Sequence, residues 1–312
     1  MSFIWGDNME AILVKSAGFI FVILLGFFLK RVGVFKVEDA KVLNKAMLYV
    51  TLPAILINAF REFKFDASLF VILMIGFVAN IILMIVGRYV GKNSDGKTRA
   101  IYMLSLGGYN IGSFSLPFVQ NFFPVAGLIS VVMFDIGNTL MCAGGTYSFA
   151  AMEVAGEKKF SIKALAKNLV QAFPFDLYVS LFVLSLLNFK FPERVYEIAT
   201  MISGANIVIV MLMLGILFEV NLTKDARKQI TTILVLRYAF STLLSILVYF
   251  FTPFDIMAKQ IVVLLLFSPI TSMTAIFCTK LECDHSVYGT ATSLSIPISI
   301  AVMVGLLLIW SV

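Results

Sequence analysis

The sequence predicts an all-α polytopic membrane protein: ten transmembrane helices laid out as a 5+5 inverted repeat, with helices four and nine broken at a crossover. Three observations predict it. The chain is too apolar for a water-facing surface, its apolar residues fall into ten long segments, and two of those segments are interrupted at matching places in the two halves. Of the 312 residues, 60% are hydrophobic and 13% charged. Soluble domains carry roughly 45–50% apolar and about 25% charged residues. With a mean hydropathy of +0.99, a water-soluble enzyme, a nucleic-acid-binding domain and a disordered chain are all excluded, because much of a soluble exterior must be polar. The pattern argues against a β-barrel, whose strands alternate polar and apolar residues, whereas here the apolar runs are continuous.

The segments run over about 9–30, 41–60, 67–90, 99–122, 125–150, 163–188, 195–218, 229–251, 257–280 and 286–310. Each is near the roughly 20 residues that cross a bilayer. The first reads as a retained span, since its front end carries Asp7 and Glu10 where a signal peptide carries positive charge. The remaining residues suffice only for short loops.

The net charge of +6 is explained by topology. Lys30, Arg31, Lys36 and Lys41 follow the first span, and Arg88, Lys92, Lys97 and Arg99 follow the third. Lys158, Lys159 and Lys163 follow the fifth, and Lys224, Arg227 and Lys228 the seventh. The opposite loops are poorer in positive charge. By the positive-inside rule the first set faces the cytosol, which places both termini on the non-cytosolic side. Residues 1–152 then form the first five-helix repeat, 153–162 a cytosolic linker and 163–312 the second repeat. An odd number of spans per half inverts the second half relative to the first, a common plan of secondary transporters.

The fourth span contains LGGYNIGSFSLPF and the ninth LFSPITSMT. Gly107, Gly108 and Gly112 weaken the helix, and Pro117 and Pro269 each remove a backbone donor. Paired interruptions of this kind point to a binding site in mid-membrane. The candidate substrate-binding residues are therefore Asn110, Gly112, Ser113 and Pro117 from the fourth span and Ser268, Pro269, Thr271 and Ser272 from the ninth. A half-helix beginning in mid-membrane presents free N–H groups and about half a positive charge to an anion.

Two carboxyls lie deep in spans. Asp135 is about 15 Å into the fifth, and Asp176 is at a similar depth in the sixth. A central Asp costs roughly 2.5–3.5 kcal/mol on insertion scales and usually marks an ion or proton path. Asp135, Asp176 and Asn138, three residues from Asp135 on one helix face, are the candidate coupling residues, for H⁺ or for Na⁺. Arg237 in the eighth span reads first as a snorkelling residue; the sharper alternative is that it attracts an anion. Asn58, Asn80 and Asn206 read as interhelical hydrogen-bonding residues. No resident cofactor is indicated. With one histidine and three cysteines, none in a CxxC pair, neither a multi-histidine metal site nor a disulfide framework is expected. No HExxH or GxSxG signature points to an enzyme.

These residues also carry a resemblance. Asn110 followed by Pro117, Pro269, Leu214-Gly215, Arg237-Tyr238 and Pro297 resemble the auxin efflux carrier family, within the bile-acid/arsenite/auxin transporter superfamily, along the whole chain. Ser115 stands where plant members have glycine, Thr274 where they often have a further proline, and Phe173-Pro174 where an Asn-Pro pair is common. The long cytosolic loop of many plant members is absent, so the chain resembles a compact prokaryotic-type member of a cell (inner) membrane. The resemblance implies a secondary carrier of small organic anions, malate- or malonate-like carboxylates or auxin-like acids. It implies a scaffold of helices 1, 2, 6 and 7, a mobile core of helices 3–5 and 8–10, and a homodimer through the scaffold. The expected partners are thus the organic anion, the lipid bilayer and a second copy, with no nucleic acid. The alternative function is a passive organic-anion channel or facilitator without ion coupling.

Overall fold

The computed structural model describes residues 9–61, 63, 66–156, 169, 173–221 and 223–311. All the regular elements among them are helical. The expected linker 153–162, Lys158, Lys159, Lys163 and the first part of the sixth span lie largely outside the described residues.

Among the described residues six helices are long and apolar enough to cross a membrane: Met9–Arg31 (α1), Val37–Ala59 (α2), Ala67–Val90 (α3), Glu193–Leu217, Ala226–Phe251 and His285–Trp310. Glu193–Leu217 turns at Gly204-Ala205 and is treated as α9 (Glu193–Ser203) and α10 (Asn206–Leu217). The other expected spans are assembled from shorter pieces. The fourth is α4 (Gly96–Leu106) followed by α5 (Leu116–Phe122), and the fifth is α6 (Leu128–Leu140) and α7 (Thr146–Ala155). The described part of the sixth is α8 (Phe173–Leu186). The eighth helix continues from Lys224 to Phe251 (α11); the ninth span is α12 (Ile256–Leu266) and α13 (Met273–Lys280), and the last is α14 (His285–Trp310). Among the described residues, six of the ten apolar segments thus give helices of spanning length, and breaks divide the fourth, fifth and ninth into shorter pieces.

Two of the prolines act differently from a simple break. Leu52-Pro53 and Leu116-Pro117 each open an α-helical stretch directly after a five-residue π turn, Met47–Thr51 and Ile111–Ser115. Proline cannot donate to the carbonyl four residues back and its ring pushes that carbonyl away, so the turn before it widens. The fourth span is interrupted earlier, at residues 107–110, and helical structure resumes before Pro117.

Among the described residues two helix pairs approach through reciprocal glycines, one on each partner. A Cβ on Gly215 of α10 would lie 2.0 Å from the Ile23 carbonyl oxygen of α1, and one on Gly26 would lie 2.4 Å from that of Leu212. The same exchange joins α3 and α6: Gly137 against Leu73 O at 2.0 Å and Gly76 against Phe134 O at 2.3 Å. Within a membrane, small residues let backbones pack this closely, and the packing itself supplies the attraction. Around these two crossings α10 packs on α1 and α2, and α2 on α9, while α3 packs on α4 and α6, α4 on α7, and α11 on α12 and α14. At one end Glu153 of α7 accepts from Arg88 Nε of α3 at 2.6 Å and from Arg99 of α4. Burial alone would raise this carboxyl's pKa; the two guanidinium groups outweigh it and hold it below its usual range.

Gly137→Ala and Gly215→Ala should each cost about 1–3 kcal/mol through overpacking against a backbone carbonyl, read as a lower Tm in detergent. Gly18→Ala and Gly305→Ala, where an added Cβ meets nothing within 4 Å, should leave Tm unchanged or slightly raised.

Candidate functional site

The fourth and ninth spans cross where both are unwound. Helix α4 ends at Leu106, and the chain passes through Gly107 and Gly108 to Asn110 before helical structure resumes at Ile111. Helix α12 ends at Leu266 and α13 begins at Met273. Between them Tyr109 and Ile270 form an antiparallel bridge, and the Asn110 amide donates to the Pro269 carbonyl at 3.0 Å. Gly108 is at φ +118°, and a Cβ there would lie 2.6 Å from Thr271 Cγ2 and 2.9 Å from Cys142 Sγ. Only glycine fits both the backbone and the space.

Unwinding leaves carbonyls without partners at the ends of α4 and α12, and buried carbonyls must be satisfied. Arg237 of α11 does this. Its Nη1 donates to Leu106 O at 2.8 Å and to Ser105 O at 3.4 Å, and its Nη2 to Gly108 O, Ser268 O and Pro269 O at 2.8, 2.9 and 3.0 Å. The side chain is fully buried, with its guanidinium 4.8 Å from the centre of the Tyr109 ring. The snorkelling expectation is therefore corrected: the guanidinium turns inward, because five converging carbonyls compensate its charge better than the membrane interface would. Among the described residues no carboxylate pairs with it. Ser241 of the same helix donates to Leu266 O at 2.6 Å, and Thr274 to Leu104 O at 2.8 Å.

A side-chain amide completes the crossover on the other side. Asn138 Nδ2 donates to Tyr109 O at 3.0 Å while its Oδ1 accepts from Tyr109 N at 3.0 Å, so the amide pairs with this peptide as a neighbouring strand would. Ser295 of α14 plays a comparable part for the other unwound segment, accepting from Ile270 N at 3.0 Å. Asn138 Nδ2 also donates to Asp135 Oδ1 at 2.9 Å, and Tyr178 of α8 donates its hydroxyl to Asp135 Oδ2 at 2.7 Å. Asn80 of α3 donates to Asn138 Oδ1 at 3.2 Å. A buried relay thus runs from Tyr178 through Asp135 and Asn138 to the crossover peptide.

The expected site residues divide accordingly. Asn110, Ser268, Pro269 and Thr271 are buried at the crossing, where the Ser115 and Ser268 hydroxyls hydrogen-bond to each other. Gly112 and Ser113 are half-buried one turn on, and a Cβ at Gly112 would meet nothing within 4 Å. Ser272 is exposed at the start of α13, and Pro117 is buried in the first turn of α5. Asp135 and Asn138 are in direct contact. Asp176 lies apart, exposed in the first turn of α8; the residue of that helix that reaches Asp135 is Tyr178, two positions on. Sequence reasoning missed Tyr178 and Ser295. The signal for Tyr178 was present, a hydroxyl in the same apolar stretch as Asp176, but nothing in one sequence says which face of α8 meets α6. Asn58, Asn80 and Asn206 do bond across helices, to Thr200, Asn138 and Thr51.

A cavity of about 510 Å³ opens between α2 and α9 on one side and α3, α6 and α12 on the other, with Asn58, Arg61, Ser130, Thr200 and Asp255 in its wall. Ser130 stands five residues before Asp135 on α6, about 7.5 Å along the axis.

Residues 11–171, just over half of the chain, match the model of the membrane transport protein family. The chain belongs to that family, the auxin efflux carriers. An uncharacterized transporter of Methanocaldococcus jannaschii is 23% identical over 208 residues, covering 62% of this chain and 65%, just under two thirds, of that relative. As a multi-pass membrane protein of the auxin efflux carrier family, the chain has its crossover residues Asn110 and Pro117 and the relay residues Asp135 and Asn138 inside the matched region. Arg237 and Pro269 lie beyond it.

Asn138→Leu should be strongly destabilising. It leaves the buried N–H and C=O of Tyr109 without partners, at about 1–3 kcal/mol for each orphaned group, read as a large loss of Tm. Ser113→Ala, at a half-buried position outside this network, should stay within about 0.5 kcal/mol of the native protein.

Proposed function

We propose that this protein is a secondary carrier of small organic anions, of the malate, malonate or auxin-like acid class, working by alternating access. The observation that carries the proposal is the crossover. Two half-helices end there and two begin, at Ile111 and Met273. Each C-terminal end carries about −0.5 of a charge and each N-terminal end about +0.5. One guanidinium balances the two negative ends, and the two positive ends together balance one carboxylate. The Asn110 side-chain amide, the hydroxyls of half-buried Ser113 and exposed Ser272, and the open space beside Gly112 would line the anion's place.

In this reading helices 1, 2, 6 and 7 form the scaffold and helices 3–5 and 8–10 the moving core, in two inverted five-helix repeats. The glycine crossing of α1 and α10 falls inside the scaffold and that of α3 and α6 inside the core, so each body has its own tight seam. Among the described residues the polar links between the helices of the two bodies include Lys15 Nζ to Asn121 O at 3.2 Å, Gln120 Nε2 to Ser203 O at 3.1 Å and Tyr178 to Asp135, and just past the seventh span Glu219 N to Ser293 Oγ at 3.1 Å. Bodies joined by exchangeable hydrogen bonds can slide. By the positive-inside rule the 510 Å³ cavity between them opens on the non-cytosolic side, which also holds both termini of a protein set in a cell (inner) membrane. The scaffold faces offer a second copy its contact.

Coupling is assigned to a proton on Asp135. Its two carboxyl oxygens receive an N–H and an O–H, donors that suit a carboxyl and oppose a bound cation. Gain or loss of its proton remakes the bond to Tyr178 that joins core to scaffold. Asp176 is left with a role in the scaffold helix.

Uptake into proteoliposomes tests the function, with malate, malonate, succinate and indole-3-acetate offered in turn under an imposed H⁺ or Na⁺ gradient. Saturable uptake of at least one anion with counterflow, rising with the proton gradient, is expected; uptake without saturation or counterflow would indicate the passive channel instead. Asn110→Ala should weaken apparent affinity about tenfold or more, the loss of a buried charge-assisted hydrogen bond. Asp135→Asn should abolish the response to the proton gradient.

A further inference from the structure

The five carbonyl oxygens around Arg237 have the form of a site for a free cation. They come from two different segments, Ser105, Leu106 and Gly108 from one and Ser268 and Pro269 from the other, and converge at one buried point. Half-helix C-terminal ends and unwound carbonyls of this kind are where carriers coordinate a monovalent metal ion. The oxygens are hard ligands with no net charge of their own, and the two helix ends add about −1. We infer that this cage is a monovalent-cation site that the chain fills with its own guanidinium, so that the crossover carries a permanent internal cation in place of bound Na⁺.

Three features distinguish this from a substrate-binding arginine. Both Nη atoms are committed to carbonyls, leaving no terminal donor for a carboxylate. Nε is buried without a partner, so the pocket was not shaped around the whole guanidinium fork, as a bidentate carboxylate site is. The side chain arrives from a third helix, α11, and is clamped by the Tyr109 ring; it belongs to neither segment that builds the cage. Removing the side chain therefore leaves all five oxygens in the chain, in need of another cation to hold them together. The consequence for coupling, that Na⁺ is not required at the crossover, rests on the carrier function proposed above. The existence of the cage does not.

The test reads cation binding directly, by thermal unfolding of the full-length purified protein in choline chloride, sodium chloride or millimolar guanidinium chloride at matched ionic strength. The native protein should give one Tm in all three. Arg237→Ala should unfold at lower temperature in choline and recover saturably with guanidinium or with Na⁺. Arg237→Lys, which keeps a charge in the cage, should respond to neither. If Arg237→Ala folds only when prepared in sodium or guanidinium medium, that too supports the cage. A saturable Na⁺ stabilisation of the native protein would overturn the inference. So would an Arg237→Ala variant that behaves alike in all three media, or that fails to fold in all three while Arg237→Lys folds. A protein that shows the cation rescue but takes up no organic anion would retain this inference and lose the proposed function; uptake without rescue would do the reverse.

Discussion

Everything at the centre of this protein depends on one guanidinium satisfying the carbonyls that two broken helices leave behind. A helix cut in mid-membrane exposes polar backbone that hydrocarbon cannot solvate. Arg237 supplies hydrogen-bond donors and a positive charge to both cut ends at once, from a helix that is itself unbroken. The two unwound segments can then lie against each other with only one bridge, Tyr109 to Ile270. Without it, two C-terminal dipole ends would face each other across a few ångströms of low dielectric, where electrostatic repulsion is strongest.

Asn138 and Ser295 extend the same solution outward. Each holds one peptide of an unwound segment from a neighbouring helix, so the crossover is fixed from three sides. Asn138 does more, because it also holds Asp135, which in turn meets Tyr178 of α8. A change at the carboxyl is therefore two hydrogen bonds from the crossover peptide in one direction and one from the facing helix in the other. That chain is the physical link between the candidate coupling residue and the candidate binding site. It is a connection of contacts; transport measurements supply the energetics.

Much of this was legible in the sequence. Continuous apolar runs gave the spans, and paired Gly/Pro interruptions placed the crossover, because broken helices need those residue types. Asp135 stood out by its cost in an apolar segment, and Asn138 by its spacing from it. What the sequence hid was direction. Arg237 reads from the sequence as close enough to a span end for its long side chain to snorkel; its place midway along α11, its inward rotamer and the five waiting carbonyls decide otherwise. Asp176 and Tyr178 sit two residues apart, about 200° around a helix, so one faces out while the other meets Asp135. A single sequence marks both as unusual and does not say which is which. Pro117 was legible as a perturbation, yet the break lies at Gly107 to Asn110, and the proline's effect is the π turn that precedes it.

The central claim is that the crossover is reached from both sides of the membrane in turn. A single cysteine at Gly112, where the structure has room for a side chain, tests it in a background with the free cysteines Cys142 and Cys278 replaced by alanine and Cys283 by serine. Membrane-impermeant thiol reagents would be applied to right-side-out and inside-out vesicles. The account predicts labelling from either side, slowed from both by saturating organic anion. Labelling from one side only, whatever the anion or proton gradient, would contradict it.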